Sequence, residues 1–533
     1  MPTEQNPTIR RNRFSIFSYI YIRKSTKNLY LYQINRPSIA LIKYNQSVNN
    51  IIMSVELKPA SVFEAFSEIN RVPRPSKRED KMMDYLVSVG RQLGLETVTD
   101  EIGNVVIRKP ATPGMEDRPA IVLQSHMDMV CEKNNDVTFD FDRDAIQTYV
   151  DGEWLTAKGT TLGADDGIGC AMEIALLRAT DIKHGPLECV FTRDEETGLT
   201  GAEQMPADFI KGRMMINLDN EEEGYIFVSC AGGCRTNATF HYRETQAPKG
   251  YFFINIAIKG LTGGHSGDDI NKKRANANKL LARFLYTQQE KRDIVMSDIQ
   301  AGGLHNAIPR EAACVIGVPF ADKEQVRADW NIFAREVEDE YSVTERTMQF
   351  FMESTQTPPT VIDQTTTRNL VYAIQAVFNG EFAHCQDIDL VETSSNLASI
   401  RMDAQTRTIN VVSSQRSSIL SARHNVANTF RAAFQLAGAD VETGEGYPGW
   451  KMNPDSKLLV IAVQQYRRLF NKEPFVGGIH AGLECGLFSE KFPGMDMISV
   501  GPTMRGVHSP DERMLIPTVQ MVWDHLLAIL EAV

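Results

Sequence analysis

From about residue 54 the chain alternates short apolar runs with stretches of helical periodicity. PAIVLQSHM, LECVFTRDE and RMMINLDN read as strands that stop at a histidine or an acid. Between the first two, GIGCAMEIALLRAT repeats its apolar positions with the period of a helix, and Gly167 and Gly169 let its first turn lie close to the loop before it. Strand, loop, helix, strand is the βαβ rhythm of an α/β sheet. Such sheets take ligands beyond the carboxyl ends of their strands. SVELKPASVFEAFSEINRV, just upstream, is an acidic, amphipathic helix entry.

The pattern changes after Ala231-Gly232-Gly233. TNATFHYRE and YFFINIAIKGL resemble antiparallel strands, and ANANKLLARFLYTQQ a helix. RTINVVSSQ and RHNVANTFRAAFQLAG repeat the strand-helix order, a weak internal duplication. Residues 234–445 are therefore read as a separate α+β domain inserted into the first. GEGYPGWKMNPDS, rich in Gly and Pro, marks the return. The first domain, 53–233 and 446–533, is an α/β unit with a central mixed sheet flanked by helices. It closes with KLLVIAVQQYRRLF and the terminal VWDHLLAILEAV.

A length of 533 residues agrees with about two domains. A hydrophobic content of 42% and a charged content of 23% are ordinary for a globular protein. The net charge of −12 argues against nucleic-acid binding. Residues 1–52 depart from the rest: they carry eight Lys or Arg and one acid, Glu4, which leaves −19 for the remainder. A transit peptide is one reading of that basic segment. The preferred reading is an upstream extension, disordered or not native, with Met53 as the natural start. No apolar run reaches the roughly 18–20 residues that span a bilayer. FSIFSYIYI is cut short by Arg23 and Lys24. The eight cysteines lack paired spacing and read as buried thiols of a reducing, cytoplasmic compartment.

Five segments carry candidate chemistry: LQSHMDMV, TLGADDGIG, FTRDEETGLTG, INLDNEEEG and RGVHSPDERM. They place His126, Asp165, Glu196, Asp219 and His508 at strand ends or in the loops that follow. Two imidazoles and three carboxylates suit a pair of zinc-like ions. Such a pair activates water and clamps a carbonyl, which points to amide hydrolysis. Asp128, two residues after His126, shares its face and can orient the ring. One of Asp165 and Asp166 can bridge two ions, and spacing leaves open which; the other suits a helix cap. In Asp194-Glu195-Glu196, one acid binds metal and one stays free to take a proton from water. Glu221–Glu223 read as a solvated turn. His265, in KGLTGGHSGDDI of the inserted domain, can hydrogen-bond a developing oxyanion. Asn306 can add a donor, and His480, in GGIHAGLECG, can contact substrate. His184, His241, His384, His424 and His525 read as structural or surface residues.

Taken together, HMDMV, GADDGIG, HAGLECG, YPGW and GPT…HSPDE resemble the M20 family of metallopeptidases, and within it the aminoacyl-histidine dipeptidases; the likeness covers nearly all of 53–533. The resemblance implies two zinc ions per subunit, replaceable by cobalt or manganese. His126 and His508 would be terminal ligands, Asp165 the bridge, and Glu196 and Asp219 the remaining ligands. Glu195 would be the general base, Asp128 the support of His126, and His265 the lid histidine that steadies the oxyanion, often in the other subunit's site. The implied activity is hydrolysis of dipeptides, Xaa-His included. Tripeptide cleavage and deacylation of N-acyl amino acids are the nearest alternatives. The inserted domain would be the lid that also makes a homodimer.

Overall fold

The computed structural model describes residues 56–533, together with three short strands at Ile20–Ser25, Asn28–Gln33 and Ile42–Lys43. Those three pair antiparallel within a unit of their own, Met1–Val55. The reading of 1–52 as disordered or not native otherwise falls outside the described residues.

Within 56–533 the strands gather into two large sheets. The first has eight strands. Four of them, Leu187–Thr192, Ile121–His126, Met214–Asn217 and Asp496–Ser499, lie side by side and parallel. Every residue of Ile121–His126 and Leu187–Thr192 is buried, which is why these strands read as unbroken apolar runs. Val105–Lys109 and Glu96–Thr99 extend one edge antiparallel, and Tyr225–Cys230 with Phe475–Ile479 form the other. The sheet is mixed, as the apolar pattern implied.

Helix Ala164–Arg178 packs on strand Ile121–His126 and against helix Ala60–Ile69. Its start admits no bulk: a Cβ on Gly167 would sit 2.5 Å from Arg74 Nη2 and 3.2 Å from the Phe66 ring. Helices Lys457–Phe470 and Ile516–Ala532 pack together near strand Asp496–Ser499.

The second sheet is antiparallel and draws its nine strands from residues 232–443. Its long central strands are Gly232–His241, Thr408–Ser417 and Val391–Asp403. Helices Ala277–Lys291, Lys323–Glu340, Gln364–Ala376 and Leu420–Leu436 share one apolar core with it. Phe430 and Phe434, one helical turn apart, stack at 4.3 Å, and Phe284 meets Trp330 edge-on at 4.7 Å.

The chain crosses between the sheets twice, and the crossings pair with each other. Cys230 and Trp450 exchange backbone hydrogen bonds of 2.9 Å in each direction. Gly233 and Tyr447 do the same at 3.1 and 2.9 Å. Gly233 is required there, because a Cβ would fall 2.8 Å from the Tyr447 hydroxyl.

Phe434 is fully buried in the second sheet's core. Phe434→Ala should cost about 3–5 kcal/mol by removing packed ring surface and leaving a cavity. Chemical denaturation of wild type and variant followed by circular dichroism measures the difference.

Candidate active site

The register of the parallel strands brings the ligand candidates to one edge. Asn217 pairs with Gln124, so Asp219, two residues beyond, comes level with His126 at the end of the neighbouring strand. Thr192 pairs with His126, and the turn after it delivers Glu195 and Glu196. His508 arrives from the loop between two short paired strands, Met504–Arg505 and Arg513–Leu515.

These side chains form two groups that share one carboxylate. His126 Nε2 lies 3.0 Å from Asp165 Oδ1 and 3.7 Å from Asp219 Oδ1. His508 Nε2 lies 3.1 Å from Asp165 Oδ2 and 2.9 Å from Glu196 Oε2. Asp165 thus turns one oxygen to each imidazole. Asp166 faces the other way: its Oδ1 accepts from the Gly169 backbone amide at 3.1 Å, a cap inside the helix start.

A second layer of polar groups holds this set. Asp128 Oδ1 stands 3.3 Å from His126 Nδ1 and accepts from the Glu195 amide at 3.1 Å. Asp128 Oδ2 accepts from Ser76 Oγ at 2.7 Å and from the Glu196 amide at 3.3 Å. One carboxylate thereby ties the His126 ring to the Glu195–Glu196 turn. Glu512 carries out the same task for Asp165, since its carboxylate accepts from the amides of Leu162, Gly163 and Ala164 at 2.7–3.0 Å and of Asp165 at 3.4 Å. Arg74 Nη1 donates to the Asp128 carbonyl at 2.7 Å, and Nη2 to the Gly163 carbonyl at 2.5 Å. Glu79 pairs with Arg193 at 2.6 Å and accepts from the Asp194 amide at 3.2 Å. The first acid of Asp194-Glu195-Glu196 is not part of the ligand set: Asp194 accepts from the hydroxyls of Thr197 and Thr200.

The charge balance of the set calls for cations. Burial pushes Glu195 and Asp219 well above the ordinary carboxylate range, and raises Glu196 as well; neighbouring carboxylates add to each shift. Asp165 goes the other way despite its burial, because both imidazoles hydrogen-bond to it. Those bonds, to Asp165 and Glu196, also raise His508 to about 11. Glu196 Oε1 is buried with no partner among the described residues. Two imidazoles and three carboxylates, one shared and one with an unused oxygen, fit divalent ions better than they fit each other. One donor atom each of His126, Asp165 and Glu196 lies within 4.8 Å of the other two, the closeness that metal donors need. A second acidic group, Glu79, Asp128 and Asp194, is also tight, but Arg193 and the Thr and Ser hydroxyls already satisfy it.

Glu195, Glu196 and His508 line a cavity of about 570 Å³. His265 and Asn306, from the second sheet's part of the chain, line it too. His265 Nε2 faces Arg416 Nη2 at 3.2 Å while its Nδ1 lies 3.3 Å from the Asp268 carboxylate. His480 is placed differently from expectation. It is buried beside the cavity with Nε2 2.8 Å from Ser394 Oγ, and its neighbours Ala481 and Gly482 line the space instead. Burial and the Arg416 charge keep it neutral, with its pKa lowered to about 3. Further lining residues escape a sequence reading, Arg235, Arg416, Tyr447 and His305 among them. Tyr447 sits in YPGW and His305 beside Asn306, so both had a local signal; Arg416 had none. His184 and His525 bond to backbone carbonyls, and His241 and His384 pair with surface acids, as structural residues do.

A fold with this ligand set defines a metallopeptidase, and comparison with known proteins gives the same class. Residues 122–532 match the family model "Peptidase family M20/M25/M40", and the chain belongs to that family. It is 38% identical over 480 residues to the cytosol non-specific dipeptidase of Escherichia coli (strain K12), covering 90% of this chain and 98% of that protein. The crystal structure of aminoacylhistidine dipeptidase from Vibrio alginolyticus superposes with a TM-score of 0.83 at 41% identity, covering 90% of this chain and 97% of that one. The aminopeptidase PepT of Bacillus cereus ATCC 10987 shares the fold at 18% identity and a TM-score of 0.55, over 88% and 97% of the two chains.

Glu512→Ala should leave several buried amides without an acceptor and destabilise the protein by about 2–4 kcal/mol. Glu512→Gln, which keeps one acceptor oxygen, should lose less. Urea unfolding of the three proteins gives the ranking.

Proposed function

We propose that this protein is a metal-dependent dipeptidase that hydrolyses dipeptides, Xaa-His among them. The observation that carries the reading is Asp165, whose two oxygens each face a different imidazole, each imidazole also lying near a second carboxylate, Asp219 or Glu196. In this proposal His126, Asp165 and Asp219 would hold one ion, and His508, Asp165 and Glu196 the other. Zinc suits the mixed nitrogen and oxygen donors, and cobalt or manganese can take the same set. Bound there, the two ions would polarise the scissile carbonyl and acidify a water.

The protein's own groups perform the proton transfers. Glu195 lines the cavity, and its burial raises its proton affinity well above that of an ordinary carboxylate. It takes a proton from water as the water attacks, then gives it to the departing amine. Asp128 keeps the His126 ring oriented and, through its two backbone bonds, keeps Glu195 at the right height. His265 lies across the cavity, where a donor would steady the oxyanion of the tetrahedral intermediate. Asn306 is a further donor on that side. Residues 53–233 and 446–533 would be the catalytic domain and 234–445 a lid, with a homodimer formed through the lid. His265 and the acids line one cavity within this chain. A cytoplasmic setting agrees with eight cysteines that are all free. Among the described residues no helix is long and apolar enough to cross a membrane.

Glu195→Gln should retain its metal and lose about 10²–10⁴ in kcat; metal analysis and a dipeptide assay on the same sample test both halves. Full turnover by the variant would end the assignment. Removal of metal by a chelator should abolish hydrolysis, and added zinc, cobalt or manganese should restore it. A panel of Xaa-His and other dipeptides, tripeptides and N-acyl amino acids should show turnover concentrated on the dipeptides; preference for either of the other classes would replace this reading with a tripeptidase or a deacylase.

A further inference from the structure

The cavity has a second arm. Next to the space that holds Glu195 and His508 lies one of about 350 Å³, and the two share Arg235, His305, Arg416, Gly446 and Tyr447. No acidic side chain lines this arm. The two guanidiniums thus stand on the wall common to both spaces, and beyond them the second arm holds no carboxylate.

The two arginines come from paired strands. Arg416 stands opposite Gly233 and Arg235 opposite Ser414, so both project from one face as diagonal neighbours. Diagonal positions are roughly 7–8 Å apart between Cα atoms. Their environments differ. Arg416 is 8% exposed and committed: Nη1 donates to the Tyr447 hydroxyl at 2.9 Å and Nη2 faces His265. Arg235 is exposed to the cavity, and its guanidinium makes no ion pair or hydrogen bond among the described residues. Its backbone is fixed, since its carbonyl accepts from the Gly444 amide at 2.9 Å. His305 is held below its usual proton affinity by burial and by the charges of Arg235 and Arg416, which places both guanidiniums within electrostatic reach of the same ring.

The arginines would orient a zwitterionic dipeptide. Repulsion from the arginines would keep its ammonium away from them, and attraction would draw its carboxyl-terminal residue toward their arm. That residue brings an α-carboxylate and a side chain, and the arm offers two cations. We infer that Arg235 is a specificity residue of the proposed dipeptidase, favouring dipeptides whose carboxyl-side residue carries an acidic side chain. The inference rests on the dipeptidase reading above.

Ala-Glu and Ala-Gln differ in that side-chain charge and hardly in shape. With the metal-loaded enzyme, kcat/KM for Ala-Glu should exceed that for Ala-Gln by about tenfold, the size of one charge-assisted hydrogen bond. In Arg235→Gln the ratio should fall to about one, and in Arg235→Lys most of it should remain. An unchanged ratio in Arg235→Gln overturns the inference. That includes equal losses on both substrates, which would assign Arg235 to the α-carboxylate they share. Wild-type enzyme that cleaves both peptides without preference also overturns it. Wild-type enzyme that cleaves neither, while cleaving other amides, removes the dipeptidase reading itself.

Discussion

The structure depends on concentrating like charge where water cannot relieve it. Asp165, Glu196, Asp219 and Glu195 converge at the end of a buried parallel sheet, and each would rise far above its normal proton affinity if burial alone acted on it. Asp165 escapes because two imidazoles reach its two oxygens. A site of this kind is costly to build from protein atoms alone, and divalent ions are what its donor geometry accommodates. Local details around it, from the strand register to the capped loop of Asp165, serve to keep those carboxylates from moving apart.

That restraint comes mainly from other carboxylates. Asp128 and Glu512 are each buried, and each spends its oxygens on backbone amides of the segments that carry the ligand candidates. Backbone amides are good partners here because they satisfy a buried charge without adding a flexible side chain. The result is a rigid hydrogen-bonded frame around a set of mutually repelling groups. Glu79 with Arg193 extends the frame to the Asp194 turn, whose left-handed backbone lifts Glu195 into the cavity.

The parallel strands and the ligand candidates at their ends were legible in the sequence because burial on both faces makes a strand continuously apolar, and a sudden His or Asp at its end then stands out. HMDMV and GADDGIG owe their visibility to that contrast. Glu512, though inside HSPDE, looks like any loop acid until its amide partners some 350 residues earlier are known. Arg416 lies in RTINVVSSQRSS, where an arginine on a strand reads as a solvated face. Its role depends on Tyr447 and His265, both distant in sequence. His480 reads differently: a histidine near glycines suggests close approach to a ligand, and in the fold Ala481 and Gly482 line the cavity while the ring is buried against Ser394. Local contrast marks residues whose partners are close in sequence or whose surroundings are uniform, and neither condition holds on the lid side.

The paired crossings between the sheets bear on chemistry as well as architecture. Tyr447 is held in register with Gly233 by two backbone bonds, and its hydroxyl accepts from Arg416, whose other nitrogen faces His265. The connection between the sheets is therefore one wall of the cavity. A rotation of one sheet against the other would shear the Gly233–Tyr447 pair and displace Arg416 and His265 together, while leaving the His126, Asp165 and His508 set intact, because that set is braced within the first sheet's own loops. The proposed metal set and the proposed oxyanion donor are thus held by separate hydrogen-bonded frames, one within the first sheet's loops and one running through Tyr447, Arg416 and His265.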